Sequence, residues 1–493
     1  MVRRIGWPGW SDAGLAFGLG AVMATGQAPL GFWWLTLAGL AALVHLVTRG
    51  HGAGWRALFG GAGYFALALS WIIEPFLIDV ARYGWMAPFA VVLLAFGLAL
   101  FWALAGWVAG RMRGRALQVM TFAVALGAAE LARGYVLTGF PWALIGHVWS
   151  DTPLAQVVAL VGPSGLTVLT VLAVALPVAF RWRGMAAAAA LLAAGLAFGV
   201  MRLAEAEPVA KKMTVRLVQP NADQKVKWDP DVARMLFDRQ VGYTAALPRP
   251  DLVIWPETAV PYLLENNPEV AETIAFAAGN VPVIAGVQRY DGVEARNGLV
   301  VIGDGGQIEA GYDKHHLVPF GEYIPFGDLM FDWFGVQAFA ARLGNGYVAG
   351  PGPQVIDLGG DLGSFAPLIC YEAVFPQDLR GLPQRPDWIL QITNDAWFGT
   401  LTGPYQHLAQ ARFRAIEQGL PLVRVANTGI TAMIDARGRI VATLPRGEAG
   451  YLDAGLPGAL LETPYARWGE WPVLVLLAGL GLCLVAWRRI WVA

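Results

Sequence analysis

The stretch "GSFAPLICYEAVFP" (363–376) holds one of only two cysteines in 493 residues. From Phe365 to Cys370 it is apolar throughout. It does not alternate, as a strand with one wet face would, so it reads as a strand covered on both faces. Tyr371 and Glu372 end the run, and Pro376 follows. A lone cysteine at such a point has two readings. It is a buried apolar residue of a core strand, or a thiol presented at the rim of a sheet, where a side chain stands clear of the strands. Both readings require a layered fold with a covered sheet.

The flanking sequence supplies that sheet. Short strand-like runs recur at "TVRLVQPN" (214–221), "DLVIWPE" (251–257), "VPVIAGVQRY" (281–290), "NGLVVIG" (297–303), "DWILQITND" (387–395), "PLVRVANTG" (421–429) and "ITAMIDARGRIV" (430–441). Within the last, "DARGRI" (435–440) predicts a hairpin turn. Helical periodicity appears at 229–247 and 405–419, the second closed by Gly419 and Pro421. Residues 204–468, about 265 in all, therefore form a layered α/β domain.

The rest of the chain is different. The whole is 56% hydrophobic and 14% charged, with 21 tryptophans, which is too apolar for a wholly water-soluble protein. The first lysine is Lys211. Apolar stretches long enough to approach a bilayer's thickness lie at 11–27, 31–48, 56–74, 86–109, 116–134, 158–180, 184–203 and 471–487. The first follows a basic "MVRR" leader and is read as a retained helix, because seven more follow it. The expected organisation is a membrane domain over 1–203 with seven transmembrane helices, a soluble domain over 204–468, and a closing transmembrane helix over 469–493.

Loop charge orients this arrangement. One side collects Arg3, Arg4, Arg49, Arg56, Arg111, Arg113, Arg115, Arg181, Arg183, Arg488 and Arg489; the other has Arg82 and Arg133. The positive-inside rule then puts both termini in the cytoplasm and residues 204–468 on the outer face of the plasma membrane, the periplasm of a bacterium. A net charge of −1 gives no sign of nucleic-acid binding. Cys483 falls in the last apolar run, so no disulfide with Cys370 is expected.

Three polar positions stand at strand ends. Glu257 closes "DLVIWPE" among Trp255, Val260 and Tyr262; partial burial would suit it to proton transfer, and the bland alternative is a solvated loop glutamate. Lys314 lies in "YDKHHLVPFGEYIP" (312–325) with His315, His316 and Glu322; a lysine there can hold an oxyanion. Metal binding by the two histidines is a rival idea. Neighbours on a strand point to opposite faces, which makes them a poor chelating pair, so no metal is expected. Cys370 needs a base and cationic support to react, and Glu257 and Lys314 supply both if the three converge.

That order of Glu, Lys and Cys resembles the triad of the nitrilase (carbon–nitrogen hydrolase) superfamily. "IWPETAVP" (254–261), "DKHHLVPFGEYIP" (313–325), "PLICYEAVFP" (367–376), "TNDAWFG" (393–399) and "ANTGITAMID" (426–435) resemble its membrane-bound branch, the apolipoprotein N-acyltransferases. The resemblance covers the whole chain. It implies an αββα sandwich beside the helices. It also implies transfer of a fatty acyl chain from a phospholipid, such as the sn-1 chain of phosphatidylethanolamine. The chain would pass through a thioester on Cys370 to the α-amine of an S-diacylglyceryl-cysteine at an apolipoprotein's N-terminus. By the same resemblance Glu257 is the base and Lys314 the oxyanion holder, helped by the Tyr371 backbone N–H. Glu322 would orient Lys314 or the base, Trp228 in "VKWDP" (226–230) would contact lipid or shape the pocket, and Tyr371 and Glu372 would shape the nucleophile turn. The family's sandwich is usually a dimerising unit in soluble relatives; with a membrane block in place of that contact, a monomer is expected. No P-loop or Rossmann fingerprint is found in the sequence, so no cofactor is expected.

Two expectations complete the reading. The stretch 325–350, with Phe331, Trp333 and Phe334, is taken as a lid dipping into lipid on glycine hinges. The triad by itself does not separate acyl transfer from hydrolysis by a membrane-anchored amidase. A non-catalytic lipid-binding scaffold is the second alternative, and the intact Glu, Lys and Cys argue against it.

Overall fold

A computed structural model describes residues 9–279, 281–292, 294–325 and 346–490. The expected lid, with Phe331, Trp333 and Phe334, falls almost wholly on 326–345, outside the described residues. The chain forms two compact units. One is helical and comprises 1–206, 398–417 and 462–493; the other comprises 207–397 and 418–461. The stretch 398–417, inside the soluble domain expected from the sequence, thus groups with the helices.

In the helical unit, apolar helices run over Trp10–Ala24, Trp33–Val47, Ala53–Ala68, Ala87–Ala109, Arg115–Arg133, Val158–Ala204 and Trp471–Ile490. By length and composition, four described segments are able to cross a bilayer: Val80–Ala109, Arg115–Arg133, Pro153–Ala204 and Trp471–Arg489. Ala53–Ala68 with Ser70–Leu77 makes a fifth if the pair, bent by 48°, counts as one span. The count of eight is not reached by this measure for two reasons. Trp10–Ala24 and Trp33–Val47 have 15 residues each, about 22 Å at 1.5 Å per residue. The expected spans 158–180 and 184–203 belong to one segment broken at Arg181, where φ is 55° and ψ −130°. There the chain reverses. A Cβ at Gly184 would collide with the Leu176 carbonyl, and Arg202 near the end donates to Gln156 Oε1 near the start at 2.6 Å.

Glu130 and Arg133 are both fully buried and pair at 2.7 Å. Trp102 Nε1 donates to Glu130 Oε1 at 2.7 Å, and Arg133 donates to the Trp142 carbonyl at 2.9 Å. A buried pair with every charge partnered is how ionisable groups survive in such a helix bundle. Trp142 Nε1 in turn donates to Gln406 Oε1 at 2.7 Å, and Gln406 Nε2 to the Ala68 carbonyl at 3.0 Å. These contacts tie helix Gly403–Gln418 into the helical unit.

The second unit carries two six-stranded sheets. Its strands are β1 (Thr214–Gln219), β2 (Leu252–Ile254), β3 (Val283–Asp291), β4 (Glu294–Ile302), β5 (Ile308–Asp313), β6 (Ile356–Asp357), β7 (Ser364–Ile369), β8 (Trp388–Thr393), β9 (Leu422–Ala426), β10 (Thr431–Ile434), β11 (Ile440–Leu444) and β12 (Gly450–Gly455). The orders are β12-β1-β2-β3-β4-β5 and β11-β10-β9-β8-β7-β6. Each sheet repeats one plan: three parallel central strands, a meander of two antiparallel strands on one side, and one antiparallel strand on the other. All strand runs read from the sequence are present. The central strands are buried on both faces, as their unbroken apolar runs require.

Helices Pro230–Ala245 and Pro268–Ala278 contribute Phe237, Ile274 and Ala275 to a core with Val253, Trp255, Val283 and Ile302. The first helix starts at Asp229, whose carboxylate accepts from the N–H groups of Asp231 and Val232, with Pro230 at the first helical position. The sheets meet where Thr431 Oγ1 donates to Gln219 Oε1 at 2.6 Å and Asn221 N to the Asn427 carbonyl at 3.1 Å. Strands β1, β2, β7, β8 and β9 all deliver their C-terminal ends to this one rim.

Candidate active site

Cys370 stands one residue beyond β7 with φ +54°, in the left-handed region that costs an L-residue about 1–2 kcal/mol. A short 3₁₀ helix, Cys370–Val374, begins there. Glu372 holds that turn: its Oε2 accepts the N–H of Ile369 at 2.7 Å, closing the strand end on itself. Its Oε1 faces the other way and accepts from the N–H of His315 at 2.8 Å, the N–H of His316 at 3.2 Å and the Tyr312 hydroxyl at 2.8 Å. Glu372 therefore fixes the cysteine turn against the loop that carries Lys314.

Glu257 is buried in the turn after β2. Its Oε1 accepts from Asn297 Nδ2 at 2.8 Å and its Oε2 from the Asn394 N–H at 2.8 Å. Gly286 on β3 lies directly beneath; a Cβ there would collide with the Pro256 carbonyl and the Glu257 backbone. Lys314, 1% exposed, follows β5. Its Nζ lies 2.8 Å from both oxygens of Glu322 and 3.7 Å from Glu257 Oε1. Asn297 Nδ2 also donates to Glu322 Oε1 at 3.0 Å, so one amide bridges both carboxylates around the lysine.

The electrostatics follow from this packing. Burial alone would push the Lys314 ammonium toward neutrality, but Glu322 and then Glu257 outweigh it and keep the lysine charged. Burial pushes the Cys370 thiol well up, and the Glu257 charge adds to this; Lys314 and a hydrogen bond with Thr393 act in the opposite sense. The resting thiol is protonated at neutral pH. A carboxylate beside it can take that proton as the sulfur attacks, and the lysine can hold negative charge on a tetrahedral centre.

The structure brings together Glu257, Lys314, Cys370, Glu322 and Glu372 from three segments: the turn after β2, the loop after β5 and the turn after β7. Tyr371 is buried beside the cysteine, edge-on to His316 and Phe375. Trp228 is half-buried, with the Lys227 ammonium 5.2 Å from its ring centre. Lys227 Nζ donates to Thr258 Oγ1 at 2.7 Å, which ties this segment to the Glu257 turn. Sequence reasoning missed Asn297, Asn394 and Lys227. It also missed a buried network beneath the cysteine. Gln391 donates to the Cys370 carbonyl at 3.2 Å, Arg424 to Gln391 at 2.6 Å and to Asp395 at 2.5 Å, and Thr393 to Asp395 at 3.0 Å.

The two histidines correct the sequence argument. They do not lie on a strand; β5 ends at Asp313, and both rings turn toward Asp378. Candidate metal-binding atoms of His315, His316 and Asp378 lie within 4.8 Å of one another. The local charges favour an ion-pair strut there. Burial would lower the His315 pKa, but hydrogen bonds to Asp378 and Glu372 push it up to about 10, and a protonated imidazole has no lone pair to give a metal. His315 gains affinity for its proton on folding, so its stabilising effect is complete below its ordinary pKa, near 6.5, and fades as pH rises through about 10. Thermal unfolding followed against pH should show His315→Gln less stable than the parent at pH 6, with the gap closing toward pH 10. A gap that widens with pH would refute the charged strut.

Comparison with known proteins identifies the family. The carbon-nitrogen hydrolase family matches residues 214–464, and the apolipoprotein N-acyltransferase N-terminal domain matches residues 19–176. The apolipoprotein N-acyltransferase of Bradyrhizobium diazoefficiens is 40% identical over 520 residues, covering 98% of this chain and 96% of its own. That of Caulobacter vibrioides is 39% identical over 503 residues, covering 95% and 93%. Among solved structures, an amidase of the nitrilase superfamily from Nesterenkonia is 17% identical, covering 53% of this chain and 96% of its own, with a TM-score of 0.37. With its N-terminal helices and its hydrolase-type sandwich both matched, the chain belongs to the apolipoprotein N-acyltransferase family.

Proposed function

We propose that this protein N-acylates apolipoproteins with a fatty acyl chain taken from a membrane phospholipid. The observation that carries the reading is the charged Lys314 within 3.7 Å of Glu257, both acting on a buried, left-handed Cys370. In the first half-reaction Sγ attacks the ester carbonyl carbon while Glu257 takes the thiol proton. Lys314 and the Tyr371 N–H receive the oxyanion. The ester C–O bond breaks, the departing lysophospholipid oxygen takes the proton from Glu257, and a thioester remains. In the second half-reaction the α-amine of the diacylated N-terminal cysteine attacks the thioester, again yielding its proton to Glu257. The C–S bond breaks, the proton returns to sulfur, and an amide is released.

Two properties of the chain support lipid substrates. Extracting an acyl tail into water costs roughly 0.8 kcal/mol per methylene, so a 16-carbon chain costs on the order of 12 kcal/mol, which an enzyme anchored in the bilayer avoids. The arginine asymmetry favours eight crossings with both termini cytoplasmic and the catalytic domain in the periplasm of the inner membrane, where such lipoproteins would be met. A reporter fused after Pro208 should be active only as a periplasmic reporter. The chain is proposed to act as a monomer.

Intact mass spectrometry after incubation with phospholipid alone tests the reaction. An acyl adduct on Cys370, discharged by a diacylated lipopeptide as an amide, is expected. Release of free fatty acid with no amide product would instead identify a hydrolase. Lys314→Met should lower the rate of adduct formation by about 10²–10³, the usual cost of one oxyanion stabiliser. Single-turnover acylation rates measure this directly, and a loss below tenfold would remove Lys314 from that role.

A further inference from the structure

The helical unit contains a cavity of about 950 Å³ that the proposed reaction does not use. Its described lining residues all belong to the helical unit. Its wall has two chemistries. Leu15, Leu19, Leu46, Pro177 and Val178 form an apolar trough, while Arg49, Arg115 and Arg181, with His45, give the same cavity a cationic side. They come from four separate parts of the chain: helix Trp10–Ala24, the end of helix Trp33–Val47, the start of helix Arg115–Arg133, and the reversal at Arg181.

The charge there is uncompensated. Among the described residues, no carboxylate lines the cavity. Asp12, one turn before Leu15, is taken by Arg56, which donates to its Oδ2 at 2.9 and 2.6 Å. Among the described residues, none of the three cavity arginines forms an ion pair. Other arginines at this end have partners of a different kind: Arg111 lies 3.0 Å from the Trp107 ring centre and Arg183 5.4 Å from that of Trp182. Arg115 is held in place, since its Nη2 donates to His45 Nδ1 at 2.5 Å. Arg181 is presented by the strained reversal itself, at φ 55°.

Three guanidiniums beside an apolar trough complement a phosphodiester that carries acyl chains. The planar fork of arginine matches phosphate oxygens two at a time, and basic pockets between membrane helices suit anionic headgroups. We infer that this cavity binds one anionic phospholipid from the adjoining leaflet, its phosphate on Arg49, Arg115 and Arg181 and its tails along the trough. Under the proposed topology that leaflet is the cytoplasmic one, so the bound lipid is neither acyl donor nor acceptor. It would clamp the helix reversal at Arg181 to the ends of two other helices.

The inference rests on the helices lying in a bilayer and not on the acyl-transfer chemistry, so an inactive Cys370→Ala protein should bind the lipid equally. The test is native mass spectrometry of the full-length protein, titrated with phosphatidylglycerol or phosphatidylcholine of identical chains. One phosphatidylglycerol adduct should bind about tenfold more tightly than phosphatidylcholine, a difference of about 1.4 kcal/mol. The combined Arg49→Gln, Arg115→Gln and Arg181→Gln variant should lose that preference. The combined Arg111→Gln, Arg113→Gln and Arg183→Gln variant removes as many charges from the same side and should keep it. Should the first variant fail to insert, the wild-type lipid comparison still decides. Equal binding of the two lipids, equal loss in the two variants, or displacement of the adduct by millimolar inorganic phosphate at constant ionic strength would each overturn the proposal, the last by identifying a simple anion site.

Discussion

Cys370→Ala should reduce lipoprotein acylation to background, a loss of roughly 10⁵–10⁶-fold if deletion of the nucleophile here matches other acyl-transfer enzymes. The acyl adduct seen in the parent after phospholipid treatment should vanish with it. The substitution is mild for the fold. Cys370 is already buried at a left-handed position, and alanine removes one sulfur without adding bulk. The turn is held by Glu372 through backbone N–H groups that the substitution leaves in place. Loss of activity with unchanged thermal stability is therefore the expected pattern. A second readout follows from the raised thiol pKa. Because burial and Glu257 keep the resting sulfur protonated, iodoacetamide should alkylate Cys370 more slowly at neutral pH than it alkylates free cysteine in water. Full acylation by the alanine protein would remove the thioester from the mechanism.

The same residue shows what the sequence could carry. An unbroken apolar run broken by "YE" identified both the covered strand β7 and the point where its side chain leaves the sheet. Glu257 was legible in the same way, because strand-end carboxylates follow a local pattern. Local patterns fail at the sheet edges. β5, β6 and β12 were not foreseen: β6 has two residues, and β12 alternates between exposed and half-buried positions without an apolar run. They also fail where function depends on residues from several strands at once. Asn297 lies within β4 and resembles an ordinary polar position, yet it bridges Glu257 and Glu322. One usable signal was passed over. Gln391 interrupts the apolar run "WILQIT", and a polar residue covered on both faces must find partners; here they are Arg424 and the Cys370 carbonyl. The histidine pair was misread because strand geometry was assumed for His315 and His316, which lie two and three residues past the end of β5. Helix 405–419 was legible as a helix, but its partners Trp142 and Ala68 lie more than 260 residues away in sequence, and no local pattern points to them.

Glu257→Gln should slow both half-reactions by about 10²–10⁴, the usual contribution of a positioned general base. The side chain keeps its size, so the loss reports chemistry more than packing. Some geometric cost is also expected. Glu257 accepts from two donors, Asn297 Nδ2 on one oxygen and the Asn394 N–H on the other, and a glutamine can offer an acceptor to only one of them. Turning the Asn297 amide would repair that contact by presenting its Oδ1, which has no partner among the described residues. The same turn would set Oδ1 against Glu322 Oε1, now an acceptor for Asn297 Nδ2 at 3.0 Å. The two carboxylates thus lock each other's orientation through one amide. Glu257→Asp retains an acid–base group but withdraws it by one methylene, and it should recover part of the rate that Gln loses. The decisive comparison is between acylation by phospholipid and discharge by the lipopeptide amine, each measured in single turnover. A base shared by both steps predicts that Gln slows both. If only the first is slowed, the amine gives its proton elsewhere, and Glu257 serves the thiol alone.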